Sequence, residues 1–200
     1  MPMKVSLIRI PTIIDFSAST APVTPPIGLA YLKGIVSDFT NEIQVIDSVG
    51  NFPQIRTIND EEFPITLLGQ TKDQIASLLD KNTEIILVSC MFSQDWDYAK
   101  KVFKEIRLKC PKSMIIAGGE HITALPKYSM ESALEIDVCV LGEGETTLQN
   151  ILQNIEKNGS IDKNLPGTCV RDGDGDGEII QNIMQSRIKN LVDSTWPDWE

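Results

Sequence analysis

One histidine and four cysteines in 200 residues leave little material for metal or nucleophilic chemistry. Cys90, Cys110, Cys139 and Cys169 stand 20, 29 and 30 positions apart, which is neither CxxC nor any other short metal-ligand spacing. They are expected to be reduced, mostly buried thiols rather than metal ligands. Any triad, histidine cage or histidine general acid would rest on His121 alone, so no complete catalytic set is visible. Positive charge is also scarce. Lys and Arg number 18 against 28 Asp and Glu, a net charge of −10, so the surface should repel phosphate backbones and anionic lipid, and nucleic acid is not an expected partner. Long apolar runs are missing too. The stretch from Ile85 to Phe92 is broken by Ser89 and falls far short of the roughly 20 residues of a bilayer span. Met1-Pro2-Met3-Lys4 leads straight into Val5-Ser6-Leu7-Ile8 without the pattern of a secretory signal, so no membrane and a cytoplasmic location are expected. With only 13 Gly and 11 Pro and 42% hydrophobic residues, the chain is neither fibrous nor low in complexity. A chain of this length buries on the order of 70% of its unfolded surface and needs no metal or disulfide to fold.

What is present is an alternation of β-branched runs and helical stripes. Lys4 to Ile10, Ile43 to Asp47, Glu84 to Ser89, Ser113 to Ala117 and Ile136 to Leu141 are short, nearly continuous in apolar character and bounded by Gly, Pro, Ser or Asp, as strands covered on both faces should be. Between them, Ile27 to Ser37 follows Pro25-Pro26, residues suited to a first helical turn. Thr71 to Lys81 opens with the Thr-x-x-Gln spacing of a capping box. From Gln94 to Lys109, Ala99, Val102, Phe103 and Ile106 form one apolar stripe, as do Leu148, Ile151, Leu152 and Ile155 further on. Ile122 to Glu131 is a weaker helix, limited by Pro126. The order implies a doubly wound α/β domain over residues 1–160, with a parallel five-stranded sheet, flavodoxin-like or Rossmann-like. Residues 161–200 are predicted to carry a β-hairpin, Gly167 to Arg171 with Glu178 to Ile183, and then a linker. Ser48 to Gln70 has little periodicity and reads as an insertion or lid. Two tryptophans in Trp196-Pro197-Asp198-Trp199 suggest a chain that continues, or one that packs back onto the domain.

In an open parallel sheet, ligands bind beyond the carboxyl ends of the strands near the reversal of strand order. That rule selects Pro11 to Ser19, Ser89 to Gln94, Gly118-Gly119-Glu120-His121 and Gly142 to Thr146. Gly118-Gly119 leaves two successive positions without Cβ, which admits either a bulky ligand or a tight turn. Gly142-Glu143-Gly144 lacks the third glycine of GxGxxG and follows the last strand instead of the first, and no GxxxxGK[ST] occurs. Glu143 and Glu145 would repel a pyrophosphate and complement a helix dipole. Asp172-x-Asp-x-Asp-Gly copies half a calcium loop, but position 12 is Ile183, so a hairpin turn is expected.

Taken in order, Pro25-Pro26-Ile27-Gly28-Leu29-Ala30-Tyr31-Leu32, Val45-Ile46-Asp47, Val88-Ser89-Cys90-Met91, Ala117-Gly118-Gly119-Glu120-His121 with Ala124-Leu125-Pro126, and Leu141-Gly142-Glu143-Gly144-Glu145 resemble the N-terminal cobalamin-binding domain of B12-dependent radical SAM enzymes. Leu165-Pro166-Gly167, Arg171-Asp172-Gly173 and the Trp196 to Trp199 segment resemble what precedes the radical SAM barrel in that family. The resemblance implies a cobalamin tail lying between sheet and helices. Ser89, Met91 and Ser93 would stand beside the tail, Gly118 and Gly119 would make room for it, and His121, Thr123 and the loop from Gly142 through Glu143 and Gly144 to Glu145 would border the corrin. A corrin with its rim of neutral amides calls for small residues and hydroxyls, so an acidic protein can hold it.

Two departures from relatives qualify this. The mutases and methionine synthase carry Asp-x-His-x-x-Gly after the first strand, whereas here the loop reads Asp15-Phe16-Ser17-Ala18-Ser19-Thr20. Base-off cobalamin without a histidine from this loop is therefore expected, with His121 the one alternative ligand. There is also no CxxxCxxC, so S-adenosylmethionine and the [4Fe–4S] cluster would belong to a radical SAM domain C-terminal to this chain, which is not catalytic alone. The competing reading is a regulatory or protein-interaction domain of the same fold without cofactor. Flavodoxin proper and phosphoacceptor receivers are disfavoured, because the first loop lacks glycine and Ser89 stands where a receiver needs Asp.

Overall fold

Val5–Arg9 (β1) pairs in parallel with Ile43–Asp47 on one side and Ile85–Ser89 on the other, and the register brings Arg9, Asp47 and Ser89 to the same carboxyl rim. The computed structural model describes residues 3–15, 23–60, 64–173, 177–187 and 195–199. In chain order, β1 is followed by Thr12–Ile13 (β2), helix Ile27–Ser37 (α1), Ile43–Asp47 (β3), helix Ser48–Asn51 (α2), Ile55–Asn59 (β4), Pro64–Leu68 (β5), helix Lys72–Leu78 (α3) and Ile85–Ser89 (β6). A 3-10 turn at Ser93–Asp95 leads into helix Trp96–Lys109 (α4), then Met114–Gly118 (β7), helices Glu120–Ala124 (α5) and Pro126–Ser132 (α6), Val138–Val140 (β8), helix Gly144–Asn158 (α7), Thr168–Asp172 (β9) and Glu178–Gln181 (β10).

The main sheet runs β10-β9-β8-β7-β6-β1-β3. Its five parallel strands, β8-β7-β6-β1-β3, have the flavodoxin-like order in which the connection reverses direction between β1 and β6. The expected hairpin is present, and β9 pairs antiparallel with β8, so the sheet grows to seven strands. One face, with Ile8, Ile86, Ile115 and Cys139, is packed under α4, where Phe103 and Ile106 are wholly buried. The other, with Leu7, Leu87, Ile116 and Val140, faces α1 and α7.

The segment from Ser48 to Gln70 is more regular than its sequence suggests. It holds α2, β4 and β5, and β5 lies between β2 and β4 in a separate antiparallel sheet of three strands. Four of the five residues of Pro64-Ile65-Thr66-Leu67-Leu68 are buried, including Thr66, so alternation is lost and the periodicity is hidden. The helix expected over Ile122 to Glu131 is two. Leu125 precedes a proline, which disfavours helical backbone, and its φ of −134° and ψ of 53° break the run so that Pro126 starts α6. The capping box forms between Thr71 and Gln74, although the helix it opens ends at Leu78. No described helix is long and apolar enough to cross a membrane.

Candidate functional site

Where α1 and α7 meet the carboxyl half of the sheet, packing is incomplete. Leu7, Leu87, Ile116 and Val140 from the sheet, Gly28, Leu29 and Leu32 from α1, and Gly144, Glu145 and Leu148 from α7 surround a cleft of about 220 Å³. Its mouth is made by Ser89, Met91, Gly118, Gly119, Glu120, Gly142 and Glu143. It therefore opens at the rim where the strand order reverses. Three carboxylate side chains line it, and no lysine or arginine does among the described residues. All four cysteines are buried, and burial raises their thiols. No cluster of three metal-ligating side chains occurs among the described residues.

The two adjacent glycines serve different ends. Gly118 ends β7 in ordinary extended backbone, and a Cβ there would meet nothing nearer than Val140 at 3.9 Å, so its missing side chain is cleft space. Gly119 has φ +107°, and a Cβ would stand 2.4 Å from the Cys90 carbonyl oxygen. That residue is glycine because two backbones cross there.

Of the residues singled out from sequence, Ser89, Met91, Gly118, Gly119, Gly142, Glu143 and Gly144 line the cleft, whereas Ser93, His121 and Thr123 do not. The turn at Gly119 carries α5 beneath the rim. His121 is buried there, stacked on Trp96 with ring centroids 4.4 Å apart, and its Nδ1 lies 2.9 Å from Ser93 Oγ. Its Nε2 is covered and has no hydrogen-bond partner among the described residues. Burial holds its pKa below the usual histidine value. The imidazole is thus a neutral tie between the loop after β6 and α5, and it does not present nitrogen to the cleft. Thr123 acts behind the mouth, its Oγ1 accepting the Gly142 N–H at 2.9 Å and so holding the loop before α7.

Sequence reading passed over the walls. Leu29, Leu32, Leu87, Ile116 and Leu148 carry the same apolar periodicity as any core stripe, and the structure alone shows that they line a cleft, with Gly28 and Gly144 among its lining residues.

A second tie concerns the loop after β1. Ile13 donates its N–H to Asp95 Oδ1 at 2.7 Å, and its carbonyl accepts from Gln94 Nε2 at 2.9 Å. The loop residues 16–20 lie outside the described residues. Burial pushes the Asp95 carboxyl up to about 6, against the lowering effect of the Ile13 N–H. Because this exceeds the unfolded value of about 3.9, the folded protein holds a proton that the unfolded chain has lost as pH rises from about 4 to 6. Stability then falls through that window and stays lower above it. Asp95→Asn keeps an acceptor for Ile13. Its stability relative to wild type, measured by urea unfolding, is expected to be near zero at pH 4 and on the order of 2 kcal/mol in its favour at pH 7. An equal difference at both pH values would refute a charged, buried Asp95.

A family model described as B12 binding domain matches residues 15–152. Cytidylyl-2-hydroxyethylphosphonate methyltransferase of Streptomyces wedmorensis is 26% identical over 159 residues, covering 78% of this chain and 29% of that protein. An uncharacterized methyltransferase of Pyrococcus horikoshii is 23% identical over 201 residues, 99% of this chain and 38% of its own length. The cobalamin-dependent S-adenosylmethionine radical enzyme OxsB, solved with aqua-cobalamin bound, superposes with a TM-score of 0.62 at 18% identity over 92% of this chain and 23% of the enzyme. The chain thus spans less than two fifths of the length of each of these relatives.

Proposed function

Because the chain belongs to the B12-binding domain family, we propose that the cleft takes the nucleotide tail of cobalamin and that the rim around Gly118 and Gly142 carries the corrin. The observation that supports this is the slot itself, open at the switch point, apolar along Leu7, Leu87 and Leu148, and glycine-sided at Gly28, Gly118 and Gly144. A flat ring can slide between sheet and helices there, and Met91 and Met184, both exposed beside the mouth, offer adaptable apolar surface to a macrocycle. Ser89 would hydrogen-bond the tail. Glu143, with the Gly142 loop held by Thr123, would meet the donor amides of the corrin rim, whereas Ser93 and His121 support the rim from below. When bound, cobalamin supplies cobalt redox and methyl-carrier chemistry that no side chain has.

The same reading has the cobalt without a histidine from this chain. The loop after β1 contains none, and the only imidazole is stacked under Trp96 with Nε2 covered. Residues 1–160 would form the cofactor-binding unit. Residues 161–200 would lead toward a radical SAM domain, of a methyltransferase or a related radical enzyme, which brings S-adenosylmethionine and the iron–sulfur cluster. Incubation with hydroxocobalamin followed by gel filtration tests the core of the proposal. Corrin absorbance should co-elute at about one equivalent. A folded protein that elutes colourless would sink the proposal and favour an interaction domain without cofactor.

A further inference from the structure

Helix α1 has two occupied sides. Gly28, Leu29 and Leu32 form a wall of the cleft, and on a separate stripe Ala30, Lys33, Gly34 and Ser37, spaced i, i+3, i+4 and i+7, meet the segment 195–199. The Asp198 N–H donates to the Ala30 carbonyl at 2.9 Å. Its carboxylate pairs with Lys33 Nζ at 2.8 Å and accepts from Ser37 Oγ at 3.3 Å. The Trp196 carbonyl lies so close over Gly34 that a Cβ there would come within 2.5 Å of it. The segment is therefore strapped along the helix through backbone and carboxylate, while Trp196 and Trp199 remain largely exposed.

Little else secures α1 from within. Pro26 provides no side-chain cap, the first turn has no acid, the last turn has no base, and two of its eleven residues are glycine. Each interior glycine lowers helix propensity, so the helix depends on what packs against it. We infer that the 195–199 strap and the occupant of the cleft are thermodynamically linked through α1, the strap fixing the helix so that its other side presents a formed wall. Ordering contributed by one partner is ordering the other need not supply, which makes the linkage positive and reciprocal. It regulates the site proposed above and rests on that reading.

Titration with hydroxocobalamin, combined with amide hydrogen exchange, tests it. Asp198→Ala removes the carboxylate contacts, and Gly34→Ala pushes the Trp196 carbonyl away while raising helix propensity. Both are expected to weaken hydroxocobalamin binding about fivefold. If α1 mattered only through its own helicity, Gly34→Ala would tighten binding instead, and the linkage would be overturned. In the wild type, whatever the variants do, hydroxocobalamin should slow exchange of the Asp198 amide several-fold. Binding that leaves this amide unchanged overturns the linkage alone. Absence of any corrin uptake by the wild type overturns the cofactor reading, and the linkage with it.

Discussion

Gly118→Leu is expected to leave the protein folded and to weaken hydroxocobalamin binding at least a hundredfold, about 2.7 kcal/mol. Gly118 lies in extended backbone at the end of β7, and its Cβ position is open apart from Val140 at 3.9 Å. A side chain there needs no backbone change. Beyond Cβ it must run into the slot between Ile116, Val140 and the helices, because that is the space the glycine leaves. A leucine occupying it removes the room that a ring would take, without disturbing the core under α4. The thermal midpoint should stay within a few degrees of wild type while corrin no longer co-elutes. Undiminished binding would mean that the ligand lies elsewhere.

Gly119→Val should do the reverse and destabilise the fold by roughly 3 kcal/mol or more. A φ of +107° is costly for any side chain and worse for a β-branched one. The added Cβ would also press on the Cys90 carbonyl at 2.4 Å, an atom held in place because Cys90 N–H bonds the Gly118 carbonyl at 2.8 Å. Relief requires separating the β6 and β7 ends, and both α5 and the His121–Ser93 tie hang from them. Urea denaturation of the unliganded variant measures the loss. Stability equal to wild type would show that this crossing of backbones is not rigid. Neighbouring glycines with opposite failures, one of ligand and one of fold, separate site from scaffold.

Local rules made much of the architecture readable. The five parallel strands are continuous β-branched runs, and α4 and α7 are marked by apolar stripes. The Thr71–Gln74 box needs only two residues at a fixed spacing, and it forms. Relations between distant segments were less legible. β4 and β5 pair as sequence neighbours, but β2 joins them only because Thr12 and Ile13 come to lie beside Leu68 and Leu67, more than fifty residues away. His121 reads as bordering a corrin and Ser93 as lying beside its tail, but the chain turns at Gly119 into α5, where the imidazole stacks on Trp96 and meets Ser93 Oγ. A stripe of leucines looks the same whether the opposite face is filled or hollow, so Leu29 and Leu32 gave no sign that they wall a cleft. The glycine loops at the strand ends could be found because backbone approach leaves a mark in composition.

Glu120, Glu143 and Glu145 surround an opening that no described lysine or arginine faces. Anionic coenzymes, such as free mononucleotides or flavin phosphates, would meet these carboxylates with no lysine or arginine among the described lining residues. On the proposed reading, a favoured ligand would keep its own anionic group at the water edge while an uncharged part goes in first. Discrimination of this kind comes from what the cavity refuses, and it holds before any favourable contact has formed.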